Sequence, residues 1–133
     1  MLRLSKKVEY ALMALRYIVT SKDDIVTAKE ISTKFSIPHE LLAKILQKLK
    51  KERILESIKG VNGGYRLEKS PEKIKLTDLI KTLDGDFSIT ECIHGQSEDD
   101  CNMFKDCTIK TPGNKIQKEL ESFFETKTIS DFV

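Results

Sequence analysis

The three cysteines are the residues of this 133-residue chain whose type and spacing point most directly to chemistry. Cys92, Cys101 and Cys107 fall within 16 residues, and the rest of the chain contains no cysteine. The first residues lead into an amphipathic segment and do not read as a secretion signal. An odd number of cysteines in such a chain argues against a secreted disulfide framework. The cluster favours a metal site, with a redox-active thiol group as the alternative.

The spacing of the cysteines disfavours a structural zinc site and suits an iron–sulfur cluster. Eight residues separate Cys92 from Cys101 and five separate Cys101 from Cys107, whereas structural zinc sites commonly use pairs only about two to four residues apart. Three thiolates on a loop suit an iron–sulfur cluster, which needs a fourth ligand. His94 follows Cys92 by two residues and is a candidate for that ligand, although a loop histidine is more often simply solvated.

No other group of residues suggests an active site, and we expect the protein not to be an enzyme. The chain has two histidines and no tryptophan, and it shows no nucleophile motif. Residues 60–64 are rich in glycine but lack the Lys-Ser/Thr ending of a phosphate-binding P-loop.

Hydrophobic periodicity predicts the elements that position these residues. Residues 5–20 carry apolar side chains at helical spacing, with Ser5 as a cap. Thr27 and Glu30 have the spacing of a capping box that starts a short second helix. A third helix over residues 38–52 has one apolar stripe and a basic opposite face, and Pro38 suits its first position. Two such helices joined by a tight turn are typical of a helix-turn-helix.

A β-hairpin is predicted directly after these helices, which makes it a wing. Asn62-Gly63 is a strong hairpin signal because both residues tolerate a positive φ. Ile74 and Leu76 are candidates for a short third strand. A helix opens at Thr77-Asp78 and is stopped by Gly85.

The last third of the chain is predicted to contain a long loop and one helix. Residues 86–113 show little periodicity, and a loop of this length usually has a function or lacks order. A helix over residues 114–126 carries an apolar stripe, and packing of that stripe against a second chain is at least as plausible as packing within one chain.

These elements define the predicted fold class: mainly α with a small β-hairpin wing. We assign residues 1–84 to a winged helix-turn-helix domain that binds DNA, 85–113 to a cysteine-containing loop, and 114–133 to a dimerisation helix and tail. A composition that is 39% hydrophobic and 33% charged is globular. No apolar run approaches the roughly 20 residues that a membrane-spanning helix needs, so we expect no membrane partner and a cytoplasmic protein.

The distribution of charge favours a polyanionic partner for the first half of the chain. Residues 1–67 hold 14 Lys and Arg against seven Asp and Glu, a net charge of +7, whereas residues 68–133 hold nine against 14, a net charge of −5. Double-stranded DNA is the expected partner, with an ordinary solvated face or an acidic protein as the alternatives. The predicted contact residues are Thr27, Pro38, His39, Glu40, Lys44, Lys48, Lys59, Asn62, Gly63, Gly64, Tyr65 and Arg66.

The order of these parts resembles the Rrf-type family of winged-helix transcriptional regulators, which includes the IscR-, NsrR- and RirA-like iron–sulfur regulators of bacteria. The resemblance spans nearly the whole chain. It is carried by the three-cysteine loop and by Leu4-Ser5-Lys6-Lys7-Val8-Glu9-Tyr10-Ala11-Leu12, Ile37-Pro38-His39-Glu40-Leu41-Leu42-Ala43-Lys44-Ile45-Leu46 and Gly60-Val61-Asn62-Gly63-Gly64-Tyr65-Arg66-Leu67.

The resemblance implies a homodimeric DNA-binding regulator whose subunits pair through the C-terminal helix. It implies that Cys92, Cys101 and Cys107 hold a 2Fe–2S or 4Fe–4S cluster, which an aerobically prepared form can lack. The cluster would sense iron, nitric oxide, oxygen or redox state and so control operator affinity. The alternative is a cluster-free repressor with thiol-based or small-molecule sensing.

The fourth ligand is where this sequence departs from part of the family. Some members have a histidine three residues past the third cysteine, where this chain has Lys110, which cannot serve while protonated. Other members use a carboxylate from the first helix of the partner subunit. The matching position is Glu9, so the resemblance implies Glu9 of the partner subunit as the fourth ligand, with His94 as the fallback.

Overall fold

The predicted helix-turn-helix is present, and the predicted capping residues start the first two helices of the chain. The computed structural model describes residues 2–90 and 101–133. Helix α1 (Lys6–Thr20) is capped by the Ser5 hydroxyl, which accepts a hydrogen bond from the Val8 N–H. Helix α2 (Ala28–Phe35) is capped by Thr27 in the same way. Helix α3 (His39–Lys51) starts one residue later than predicted, so Pro38 is its N-cap residue rather than its first residue.

The turn between α2 and α3 is closed by two serines. Ser36 ends α2 in the left-handed conformation, with φ of 53°. The Ser32 hydroxyl donates a 2.6 Å hydrogen bond to the carbonyl of Ile37. This turn directs the apolar stripe of α3 into the core, where its buried residues are Leu42, Ile45, Leu46 and Leu49.

The wing forms as predicted, but its turn is made differently. Strands β1 (Leu55–Ile58) and β2 (Gly64–Leu67) pair antiparallel. The expectation of positive φ at Asn62-Gly63 is wrong, because within the hairpin Gly60 carries it, with φ of 114°. The Gly63 N–H donates to the Gly60 carbonyl at 3.0 Å. A two-residue turn needs a positive φ at its centre, whereas the longer connection found here places that requirement on one glycine.

The predicted third strand at Ile74 and Leu76 is also wrong. Pro71–Lys73 form a 3-10 turn, and Leu76 already begins helix α4 (Leu76–Asp84). The place beside the wing is taken by Val26, which exchanges two backbone hydrogen bonds of 2.8 and 2.9 Å with Tyr65. A residue distant in sequence therefore extends the hairpin.

Helix α4 ends where Gly85 adopts a φ of 83°, as predicted, but the last helix begins earlier than predicted. Helix α5 (Lys110–Glu125) takes in Pro112 and Gly113, which the sequence suggested would close a loop. Proline is tolerated in the first turn of a helix because the N–H groups there have no partner within the helix.

The tail returns to the first half of the chain. A 3-10 turn (Ile129–Phe132) follows α5, and Ile129 is buried in the same core as α1, α3 and α4. Its N–H donates to the carbonyl of Ile74, and the Leu76 N–H donates to the carbonyl of Lys127. The tail thereby provides an acceptor for an N–H at the start of α4. In the described part of the chain, none of the helices has the length and apolarity needed to cross a bilayer.

Candidate functional site

The outer face of α3 carries the largest group of predicted DNA-contacting residues, and all of them are exposed. Its opposite face is anchored by buried leucine and isoleucine side chains, so the outer face is held on a rigid base. Glu40 lies in the first turn of the helix and the lysines follow towards its end, which suits the helix dipole. The exposed residues are Pro38, His39, Glu40, Lys44 and Lys48.

The predicted contacts in the wing separate into two environments. Lys59, Asn62 and Arg66 are exposed. The Arg66 side chain forms an ion pair across the hairpin with Glu56. Tyr65 is partly buried and packs against the core.

Gly63 and Gly64 of the wing are tightly packed against neighbouring backbone. A Cβ on Gly64 would lie 2.7 Å from the carbonyl oxygen of Val26 and 2.8 Å from a side-chain carbon of Ile25. A Cβ on Gly63 would collide with the carbonyl of Ile58. The absence of a Cβ at these two glycines therefore lets other parts of the same protein chain pack close to the wing. The Gly63 N–H is already used in the turn, so it is a poorer donor for a phosphate than the exposed side chains are.

Thr27 is exposed at the start of α2, and its hydroxyl already accepts a hydrogen bond of 3.1 Å from the Glu30 N–H. The hydroxyl proton remains available to an outside acceptor. An N-cap hydroxyl beside free helix N–H groups is a favourable neighbour for an anion.

Two of the three cysteines lie within the described residues. Cys101 and Cys107 are free thiols and partly exposed. Cys92 and His94 lie outside the described residues. Among the residues that are described, no group of three or more His, Cys, Asp and Glu side chains is gathered closely enough to hold a metal ion.

The two positions at which the family resemblance raised the question of a fourth ligand both have a partner. The Glu9 carboxylate accepts a 2.6 Å hydrogen bond from the ammonium of Lys6, and this contact, by hydrogen bonding and by charge, raises the pKa of Lys6. Glu9 is only partly exposed. The ammonium of Lys110 lies 3.5 Å from the centre of the Phe104 ring, a cation–π contact.

Gln117 on α5 is not among the residues predicted from the sequence. It is only 3% exposed, and its side-chain carbonyl accepts a 2.9 Å hydrogen bond from the Ile89 N–H. Its amide nitrogen donates to the carbonyl of Phe87 at 2.6 Å and to the Glu121 carboxylate at 2.7 Å. Gln117 therefore joins the middle of α5 to the backbone at residues 87–89, at the start of the cysteine-containing loop (the cysteine segment, residues 85–113). One sequence feature indicates its burial: Gln117 lies on the same helical face as Phe124, which follows it by seven residues.

Helix α5 also exposes apolar side chains at a regular interval. Ile109 precedes the helix, and Ile116 and Phe123 follow at steps of seven residues; their exposures are 60%, 50% and 55%. A repeat of seven is the spacing of a seam between paired helices. Phe123 also borders an open groove of about 880 Å³ between the N-terminal segment, α4 and α5.

The chain matches one protein family over nearly its whole length. Residues 4–133 match the Rrf2 family, described as an iron-dependent transcriptional regulator. Among curated relatives, the HTH-type transcriptional regulator NsrR of Oceanobacillus iheyensis is 32% identical over 136 residues, with 99% of this chain and 90% of the relative covered.

Solved structures show the same fold. CymR, titled the global cysteine regulator of B. subtilis, superposes with a TM-score of 0.71 at 20% identity, covering 98% of this chain and 95% of CymR. T. potens IscR superposes with a TM-score of 0.68 at 23% identity, covering 98% of this chain and 85% of IscR. The predicted winged helix-turn-helix fold is therefore confirmed.

Proposed function

Because the chain belongs to the Rrf2 family of transcriptional regulators, we propose that it binds a DNA operator as a homodimer and that its cysteine segment controls the affinity. The observation that carries the DNA-binding part is the exposed basic face of α3 on its buried apolar base. A helix of this kind is narrow enough for the major groove and supplies hydrogen-bond donors there.

The chemistry of the exposed residues gives each a role at the DNA. Lys44 and Lys48 are donors for guanine edges or phosphates, and Glu40 is an acceptor for the cytosine amino group. Lys59 and Arg66 of the wing are placed to bind phosphates or to enter the minor groove. Thr27 at the start of α2 is a further phosphate contact.

Dimerisation is supported by the exposed seam on α5. Ile109, Ile116 and Phe123 would pack against the same residues of a second copy, as expected for a symmetric interface. Two recognition helices then face successive turns of the major groove, about 34 Å apart. We keep the proposed division into a DNA-binding domain over 1–84, a cysteine loop over 85–113 and a dimerisation region over 114–133, with Ile109, at the end of the loop, as the first residue of the seam.

The donor set suits an iron–sulfur cluster in type. Cys101 and Cys107 are unpaired thiols that solvent reaches, and thiolates are the ligands that such clusters require. We propose Cys92 as the third ligand and Glu9 of the partner subunit as the fourth. A bound cluster would supply sensitivity to oxygen, nitric oxide or iron supply.

The chain's own residues link the cysteine segment to the dimer helix. Gln117 binds the backbone at Phe87 and Ile89, and the ring of Phe87 packs edge-on against Phe124 at 5.4 Å. A change of ligation at the cysteines would be transmitted to α5 through these contacts. Since α5 pairs the subunits in this proposal, the spacing of the two recognition helices would change with it.

Anaerobic purification tests the sensing part directly. We expect a coloured protein with visible absorption, bound iron and acid-labile sulfide, all lost in Cys101→Ala and Cys107→Ala. Operator fragments selected from random DNA should then bind the wild type and the variants with different affinities. A colourless protein without iron, whose DNA affinity is unchanged by both substitutions, would rule out cluster sensing.

A thiol-based regulator is the second candidate, favoured by the two free and partly exposed thiols. CymR, which shares the fold, is titled a cysteine regulator. In this case DNA affinity would respond to diamide and be restored by dithiothreitol in protein that contains no iron. Insensitivity to both reagents would exclude this candidate.

A further inference from the structure

A basic groove joins the helix-turn-helix to the first turn of α1. Lys7 of α1 and Lys44, Lys48 and Lys51 of α3 line one open groove of about 350 Å³. Its apolar lining comes from Leu41 and Ile45 of α3 and from Leu83 of α4. We propose that Lys7 binds a DNA phosphate along the edge of the major groove that α3 enters, which deepens and rests on the proposed function.

The charges around the groove favour an anion. Within residues 2–90 and 101–133, the ion pairs join Lys6 to Glu9 and Arg66 to Glu56, and the lining of the groove includes no carboxylate. Four ammonium groups that share a groove without a counter-charge repel one another. A polyanion that lies along the groove removes this repulsion and releases its own counterions.

The direction of Lys7 separates it from the neighbouring charges of α1. Residues two apart on an α-helix point in nearly opposite directions, since each residue turns the helix by about 100°. Lys7 lines the groove beside α3, so Glu9, which pairs with Lys6, points to another side of α1. The phosphate contact proposed here and the ligand role proposed for Glu9 use different faces of one helical turn.

The position relative to α3 identifies the phosphate backbone as the partner. Lys44, Lys48 and Lys51 lie on the flank of α3 that borders α1 and α4, at spacings of four and three residues. A helix in the major groove has a phosphate strand along each flank. Lys7 then lies beside a phosphate strand and not over the base edges of the major groove. Phosphate contacts position the protein on the duplex without reading its sequence.

Salt-dependent binding tests this inference. Fluorescence anisotropy with a random-sequence duplex of about 30 base pairs should be measured between about 50 and 200 mM salt. Lys7→Ala should lower the affinity about three- to tenfold at about 0.1 M salt and reduce the slope of log K against log salt by about 1. Lys7→Arg should keep both values, and Lys7→Glu should lose more affinity than Lys7→Ala.

Lys81→Ala is the matched control. Lys81 is exposed on α4 and lines a separate cavity with Phe87 and Glu121, away from α3. It should leave the salt slope unchanged although it removes the same charge. Equal slopes for wild type, Lys7→Ala and Lys7→Glu, in proteins with unchanged circular dichroism, would overturn the role of Lys7 alone. A wild type that binds no duplex at any of these salt concentrations would overturn the proposed DNA binding as well.

Discussion

Arg66 is engaged by its own protein before any DNA arrives. Its guanidinium pairs with Glu56 on the neighbouring strand of the wing, and both side chains are partly solvent-exposed. Pairs of this kind stabilise a protein by only about 0.2–1 kcal/mol. The pair is therefore weak enough to exchange for a phosphate, so in the proposed DNA complex Glu56 would compete with DNA for Arg66.

Removing this competitor should strengthen DNA binding. We expect Glu56→Gln to raise the affinity between about two- and fivefold, because the guanidinium is released and a carboxylate is removed from the interface. Anisotropy with the random-sequence duplex measures this. Glu119→Gln, the same charge change at an exposed site on α5, should have no such effect. Weaker binding of Glu56→Gln would show instead that Glu56 holds Arg66 in its binding position.

Gly64 gives a second prediction at the scale of the residue. Gly64→Ala should destabilise the protein by about 1–3 kcal/mol, because its Cβ would meet the backbone of Val26 at 2.7 Å and backbone cannot yield as a side-chain end does. Urea unfolding followed by circular dichroism measures the loss. Gly113→Ala is the control, since nothing lies within 4 Å of a Cβ there, and it should stabilise α5 by about 0.5–1 kcal/mol. Equal stabilities of the two variants would contradict this view of the wing.

At the scale of the element, α5 has a buried face and an exposed apolar face. The buried face holds Gln117 and packs Phe124 against Phe87. The exposed face carries the seam that begins with Ile109 and continues through Ile116. A helix with this division can transmit a displacement of the chain at residues 87–89 to whatever covers its outer face.

The hydrogen bonds of Gln117 should contribute substantially to the free energy that holds α5 against the rest of the protein. We expect Gln117→Leu to destabilise the protein by about 1–3 kcal/mol, because the substitution keeps the volume but leaves a backbone N–H and a carbonyl unpaired in a partly buried site. Urea unfolding tests this. Gln47→Leu, on the exposed face of α3, should stay within about 0.5 kcal/mol of the wild type. A wild-type stability in Gln117→Leu would mean that water replaces the side chain at no cost.

At the scale of the whole molecule, the tail and the core tie the two halves of the chain together. Ile129 lies in the same core as the helices of the first half, and the tail bonds to the backbone on both sides of Lys75. The basic first half and the acidic second half are thus packed as one body in the described residues. A partner that moves α5 would act on the helix-turn-helix through this core.

The prediction for the whole molecule concerns the proposed dimer and its interface on α5. Phe123→Glu should convert a dimer into a folded monomer and lower operator affinity at least about 100-fold, because each subunit then binds its half-site alone. Sedimentation velocity and anisotropy measure the two effects. Val61→Glu, which also replaces an exposed apolar residue but on the wing, should remain dimeric. A Phe123→Glu variant that stays dimeric would place the interface elsewhere.

Local signals determined the elements of this protein because each depends on neighbours in sequence. Ser5 and Thr27 start their helices through hydrogen bonds to residues three positions away, Gly85 ends α4, and the apolar stripe of α3 is buried as its spacing indicates. The basic residues on the outer face of α3 follow from the same periodicity. These features allowed the winged helix-turn-helix to be predicted from the sequence.

Contacts between distant residues were decided only by the tertiary structure. No local pattern shows that Val26 pairs with Tyr65, that Gln117 binds the backbone at residue 87, or that Lys7 shares a groove with α3. The turn of the wing depends likewise on the register of two strands, which moved the positive φ from the predicted pair to Gly60. Side-chain type and spacing specify which contacts a residue can make, and the packing of the whole chain selects the partner it meets.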